Sequence, residues 1–301
     1  MRSGFASLIG RPNAGKSMLL NRLVGTKLAI VSDKPQTTRN RILAVARLNG
    51  NPTGQVVFLD TPGIHRPLHR MNVRMVQSAL ETISSVDVVV VVIDASVKVG
   101  AGDRYVLTQL KGATVPLVLA LNKIDLIRKT QLLPLIEWYR QQRDFAVIVP
   151  VSALTGDGQK ELECAIGEQL PEGAPLYPED YLTDQPERLL AAEMVREKIL
   201  WYTSAELPFS TAVVVDQFEE QARDGGGILK IYCSVLVERE GQKRIVVGRQ
   251  GALIKKIGTE ARRELEGLFS TKVYLDLHVK VRAGWRDDDH ILGSLGITRT
   301  P

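Results

Sequence analysis

Only two cysteines, Cys164 and Cys233, occur in the 301 residues. They share no paired spacing, which excludes a disulfide framework and a cysteine-built metal site, so each thiol reads as a small packing residue. Long apolar runs are missing too: the longest, Val88 to Ile93, falls far short of the roughly 18 residues a membrane-spanning helix needs. No charged leader with a cleavage site precedes the first apolar segment, so no signal peptide is expected and the cytoplasm is the default location. Nor does one sign of charge dominate, the formal net charge being +5. What remains is the composition of an ordinary globular protein, long enough for about two domains.

The apolar run Phe5 to Ile9 leads into Gly10-Arg11-Pro12-Asn13-Ala14-Gly15-Lys16-Ser17, and the apolar-periodic stretch Met18 to Leu23 follows. Strand, glycine loop and helix in this order make a phosphate-binding loop. The glycines let successive N–H groups face phosphate oxygens, and the helix adds its positive end. Lys16 is placed to reach the β- and γ-phosphates and the Ser17 hydroxyl to ligate Mg²⁺. A second strand ends in Asp60-Thr61-Pro62-Gly63, where the carboxylate is placed to hold Mg²⁺ through water and the glycine N–H to meet a γ-phosphate.

Residues 27–40 lack any period and read as a loop. Arg41 to Leu48 and Gln55 to Leu59, joined by a turn-rich segment, predict a hairpin. Apolar runs at 86–93, 115–121 and 145–151, interrupted only by Asp87, Pro116 and Pro150, suit strands covered on both faces. Helical stretches at 71–84, 103–110, 132–143 and 158–170 alternate with them. The first 170 residues therefore predict an α/β domain with a mostly parallel sheet and helices on both faces. Two more motifs follow strands, Asn122-Lys123-Ile124-Asp125 and Ser152-Ala153, and loops at the carboxyl ends of such strands converge on one crevice.

These motifs resemble those of the translation-factor-type GTPases. The resemblance implies that Asp125 accepts hydrogen bonds from guanine and that the Ala153 N–H meets its O6. It implies further that Thr38, with Thr37 open as the alternative, completes the Mg²⁺ shell beside Ser17 and Asp60. Ile64 stands where Ras-like proteins carry a water-orienting glutamine, so slow intrinsic hydrolysis is expected. The missing help is assigned to Asn13, through a K⁺ ion of the kind related GTPases hold there, or else Asn13 merely satisfies the loop backbone. His65 is a weaker candidate base. Lys16, Thr38 and Asn13 are thus the expected catalytic group.

Residues 171–185, rich in proline and acid, read as a linker. Beyond it, a helical stretch at 186–203 and strand-like segments at 210–218 and 228–237 precede Arg244-Ile245-Val246-Val247-Gly248-Arg249-Gln250-Gly251 and an amphipathic run carrying Lys255 and Lys256. An apolar strand, Gly-x-x-Gly and helix make the RNA-clamping core of a KH domain, with 271–281 as the closing strand. From Lys243 to Arg263 seven basic residues face the single acid Glu260, a local patch suited to an acidic partner. Gly248, Arg249, Gln250, Gly251, Lys255 and Lys256 are the candidate RNA-binding residues. Residues 186–301 are therefore expected to form an α+β type II KH domain, and the tail after Trp285 reads as poorly ordered.

The whole layout resembles the Era-like family of bacterial GTPases. That resemblance implies a switch that uses GTP, GDP and Mg²⁺, binds the 3′ region of small-subunit ribosomal RNA and acts in assembling the 30S-type subunit. It also implies some peripheral association with the inner membrane, and a monomer is expected. The competing reading makes a protein or the membrane surface the main partner, with the KH fold as a docking platform. A role in modifying transfer RNA is disfavoured, because no catalytic cysteine constellation accompanies the switch.

Overall fold

The computed structural model describes residues 1–32, 34, 37–39, 41–64, 70–203, 207–221 and 227–297. His65, part of the 27–40 loop and most of the turn at 224–227 lie outside the described residues. The chain divides into two compact units whose main bodies are residues 1–184 and 185–301.

In the first unit, β1 (Arg2–Ile9), β2 (Ile42–Leu48), β3 (Gly54–Asp60), β4 (Val88–Asp94), β5 (Leu117–Asn122) and β6 (Val147–Pro150) form one sheet in the order β2-β3-β1-β4-β5-β6. Every neighbouring pair is parallel except β2 with β3. The helices are α1 (Lys16–Val24), α2 (Arg70–Ile83), α3 (Ala101–Gln109), α4 (Leu132–Gln142) and α5 (Gln159–Gln169). The valine run of β4 shows why the sheet is covered twice. Val88, Val90 and Val92 enter one apolar core with Leu19 and Leu162, while Val89, Val91 and Ile93 enter another with Ala79, Val106 and Tyr139. Successive side chains of a strand point to opposite faces, so an uninterrupted apolar strand needs a layer on each.

Residues 171–184, which read as a linker, are strapped to this unit. The Ser3 N–H donates to Pro171 O and the Val45 N–H to Leu182 O, and the Thr183 hydroxyl donates to Leu43 O at 2.6 Å. Gln55 holds the middle by accepting from Leu176 and Tyr177 and donating to Tyr177 O. Single hydrogen bonds to separate strands need no hydrophobic period, which is why the segment reads as structureless.

The second unit contains α6 (Glu187–Tyr202), α7 (Leu207–Ser210), β7 (Ala212–Gln221), β8 (Ile228–Val237), α8 (Glu240–Val247), α9 (Ala252–Phe269), β9 (Lys272–Val281) and α10 (Asp289–Ser294). Its sheet has the order β7-β8-β9, with β9 parallel to β8 and β7 antiparallel. Cys233 is fully buried in its core, where burial and then the nearby Asp216 and Asp276 push the thiol up to about 12. It packs and does not react.

Two expectations fail in this unit. The apolar run before the glycine loop is helix, not strand: Gln242 accepts from the Glu238 and Arg239 N–H groups at the start of α8. Within that run only Val246 is buried while Ile245 is exposed, so three adjacent β-branched residues mimic a strand that the capping glutamine overrides. The tail, for its part, is folded through residue 297. Trp285 is fully buried, its indole N–H donates to Ser210 O at 3.1 Å, and Arg286 pairs with Glu238 at 3.0 Å. Asp288 caps α10 by accepting from the His290 and Ile291 N–H groups, so the acidic run of a tail that reads as poorly ordered starts a helix. Replacing this tryptophan, Trp285→Ala, should destabilise the unit by about 3–5 kcal/mol, measured by denaturant unfolding.

Candidate functional site

The loop residues Gly10, Arg11, Pro12, Asn13, Ala14 and Gly15 leave the carboxyl end of β1 and deliver Lys16 as the first residue of α1. Backbone crowding explains the glycines. A Cβ on Gly10 would lie 2.3 Å from Val92 O, and Gly15 sits at φ 94°. Asn13 adopts φ 63°, a left-handed conformation that asparagine tolerates better than most residues. Lys16, almost fully buried, donates to Gly10 O at 3.2 Å and Arg11 O at 3.3 Å, which holds its ammonium within the loop.

Three oxygens meet at the start of α1. Ser17 Oγ lies 2.5 Å from Thr38 Oγ1 and donates to Asp60 Oδ2 at 3.2 Å. The threonine hydroxyl beside Ser17 is thus that of Thr38, and Thr37 is the more exposed of the two. Asp60 Oδ1 is buried without a hydrogen-bond partner among the described residues. An orphaned carboxylate oxygen beside two hydroxyls suits a hard cation such as Mg²⁺, which prefers oxygen ligands. Burial pushes the Asp60 carboxyl up to about 6, with the Lys16 charge and hydrogen bonds from Ser17, Thr61 and Thr38 opposing it. Burial likewise lowers Lys16, against the attraction of Asp60.

Thr61 is buried and donates to Leu8 O at 3.0 Å, tying the Asp60-Thr61-Pro62-Gly63 turn to β1. A Cβ on Gly63 would stand 2.7 Å from Pro12 N, and the Ile64 N–H donates to Gly10 O. The two phosphate-side loops therefore touch backbone to backbone. Ile64 is only 1% exposed and sits in the core with Ile9 and Leu59, so its side chain packs there and carries no polar group that could orient a water.

On the other side of the crevice, Asn122 donates to Ala14 O at 2.9 Å and accepts from the Ala153 N–H at 3.0 Å. It fastens the phosphate loop to the Ser152-Ala153 loop, and a guanine O6 would have to share the Ala153 donor with it. The Ser152 hydroxyl donates to Asp125 Oδ1 at 2.5 Å, orienting an exposed carboxylate. Lys123 adopts φ 66°, a conformation costing a non-glycine residue about 1–3 kcal/mol, and its Nζ meets Asp94 Oδ2 at 2.7 Å. Asp94 and its neighbour Asp103, which pairs with Arg11 Nε at 3.0 Å, went unnoticed in the sequence. Asp94 carries the same signal that singled out Asp60, an aspartate at the carboxyl end of a buried strand. Burial pushes its carboxyl up, but hydrogen bonds from Lys123 and Ser96 outweigh this and hold it below the usual range.

In the second unit, Gly248-Arg249-Gln250-Gly251 joins α8 to α9. Gly248 at φ 73° leaves no room for a Cβ, which would lie 2.6 Å from Leu253 Cβ, and Gly251 has φ 78°. Arg249, Gln250 and Lys255 are exposed. Lys256 is exposed too, but its Nζ stands 4.1 Å from the centre of the Tyr202 ring, whose hydroxyl donates to Glu260 at 2.5 Å. Its charge is thus partly engaged within the unit. The buried position of Ile64 leads to a direct expectation: Ile64→Gln should not raise GTP turnover and should cost about 1–3 kcal/mol of stability, since its amide would enter an apolar core. Turnover assays and denaturant unfolding check the two parts.

The 50S ribosome-binding GTPase family model matches residues 5–123, and the KH domain model matches residues 206–286. GTPase Era of Geobacter metallireducens is 48% identical over 297 residues, covering 99% of this chain and 98% of its own. GTPase Era of Geotalea uraniireducens is 48% identical over 295 residues, or 98% and 97% of the two chains. A tyrosine-to-alanine variant of Aquifex aeolicus Era bound to GDP·AlF4⁻ has a TM-score of 0.93 at 39% identity, over 99% of this chain and 100% of that one. An Era in complex with MgGDPNP and nucleotides 1506–1542 of 16S ribosomal RNA gives 0.94 at 39% identity with the same coverage. Together with the phosphate loop, the oxygen cluster at Ser17 and the glycine loop of the second unit, these likenesses place the chain: it is a GTPase and belongs to the Era family.

Proposed function

We propose that this GTPase is a nucleotide-gated RNA-binding switch acting in small-subunit ribosome assembly, and that its RNA is the 3′ region of the small-subunit ribosomal RNA. The observation that carries this reading is the pairing, in one chain, of the Ser17–Thr38–Asp60 oxygen cluster with an exposed Gly-x-x-Gly loop opening a long helix that carries Lys255 and Lys256 in its first turns. A family member solved with a 16S ribosomal RNA segment and MgGDPNP supports the choice of partner and of Mg²⁺. In this reading, Ser17, Thr38 and Asp60 hold Mg²⁺, Lys16 neutralises phosphate charge and Asp125 selects guanine. Loss of the γ-phosphate releases Thr38. Gly248 and Gly251 let the RNA backbone approach, Arg249 and Lys255 meet phosphates, and Gln250 and Lys256 add secondary contacts.

With Ile64 turned into the core, hydrolysis without help is slow, and a K⁺ ion held by Asn13 offsets transition-state charge. The left-handed backbone of Asn13 supplies a structural reason for the asparagine as well, so the cation has to be tested directly. The protein works as a monomer in the cytoplasm, with peripheral inner-membrane association as a secondary property. No helix among the described residues is long and apolar enough to cross a membrane.

RNA affinity measured with a non-hydrolysable GTP analogue should exceed that with GDP, and Lys255→Ala should weaken binding and lower the salt slope by about one. Equal affinity in both nucleotide states removes the gating. Unchanged affinity in Lys255→Ala, alongside tight binding to vesicles or to a protein partner, favours a docking platform instead. Turnover should be faster in KCl than in NaCl at equal ionic strength, and equal rates would remove the K⁺ ion.

A further inference from the structure

Asp94 ends β4 directly beside Asn122 in the parallel ladder, one strand from the base-side motif and in reach of the phosphate loop. Its carboxylate accepts from Lys123 Nζ at 2.7 Å and lies 3.9 Å from Arg11 Nη2. Arg11 is fixed in turn by Asp103 at 3.0 Å, whose other oxygen accepts from the Gly100 N–H at the start of α3. The Lys123 stem crosses the phosphate loop, its Cε 4.0 Å from where a Cβ of Gly15 would stand. A lysine in a left-handed backbone with its ammonium on a largely buried carboxylate is held in one place from both ends.

We infer that Asp94 is a positioning residue for the nucleotide: through Lys123, whose stem crosses the phosphate loop, it locks the base-side loop onto that loop and sets how slowly nucleotide leaves. The carboxylate touches no nucleotide itself. It clamps the two loops that do, alongside the neutral clamp of Asn122. The inference rests on Lys123 belonging to the nucleotide site, and the experiment separates the two questions.

Release of a fluorescent GDP analogue is measured on the full chain for Asp94→Asn, Lys123→Gln and the double variant. Lys123→Gln shortens the stem and removes the charge, so it probes the same pair if Asp94→Asn does not fold. A charge-assisted hydrogen bond of this kind predicts that each single variant releases GDP about tenfold faster. The double variant should be no faster than Lys123→Gln alone, because the two groups act as one unit. For Asp94→Asn the KM for GTP should rise with kcat held within about twofold, the pattern of lost uniform binding. Fast release from Lys123→Gln with wild-type release from Asp94→Asn overturns the role of Asp94, as does a double variant whose effects simply multiply. Wild-type release from Lys123→Gln overturns the placement of Lys123 in the site, and the inference with it.

Discussion

A strand buried on both faces has nowhere to place polar chemistry except at its ends. In β4 every residue from Val88 to Val92 is fully buried, alternating between two apolar cores, so its first accessible functional group is the carboxylate of Asp94. The same holds for β3, which ends in Asp60, and for β5, which ends in Asn122. Because these strands run parallel to β1, their carboxyl ends meet at one edge, and the phosphate loop, the Asp60 turn and the Asn122 loop arrive together without any sequence proximity. The site follows from how the sheet is buried.

What then keeps these loops in register is a small number of direct ties. Gly63 stands against Pro12 so closely that no Cβ fits, and Gly10 does the same against Val92. Asn122 joins Ala14 to Ala153. Each tie uses a backbone group, which fixes position within a few tenths of an ångström, as a catalytic site for phosphoryl transfer needs. Asp60 Oδ1 is left buried without a hydrogen-bond partner among the described residues. That cost is tolerable only where a cation can take the place of a hydrogen-bond donor.

The second unit solves a different problem with similar means. Gly248 and Gly251 turn the chain between α8 and α9 where a side chain would collide or strain, and the loop stays open to solvent beside the start of an 18-residue helix. Tyr202 and Glu260 order the helix face next to it, the ring lying under Lys256. Arg249 and Lys255 are exposed cationic groups beside it.

Much of the architecture was legible in the residues. Apolar runs marked β4 and β5, glycines marked the phosphate loop and the Gly-x-x-Gly turn, and Ile64 announced the missing water-orienting amide. These features depend on local stereochemistry or on a run of like residues, and both are written along the chain. Three others were not legible. The Ile245-Val246-Val247 run became helix because Gln242 caps it. Residues 171–184 became a strap because β1, β2 and β3 exchange hydrogen bonds with them, and the tail folded because Trp285 found the Ser210 carbonyl. The sequence by itself determined which residue types are present: a glycine-rich loop before a helix, an aspartate ending a buried strand, an Asn-Lys-x-Asp motif and a glycine loop with lysines. Only the tertiary structure decided that Ile64 points into the core, that Thr38 meets Ser17, and that Asp94 holds Lys123. Each of these depends on which strand ends lie side by side, and strand order is set by the packing of whole faces that no local pattern encodes.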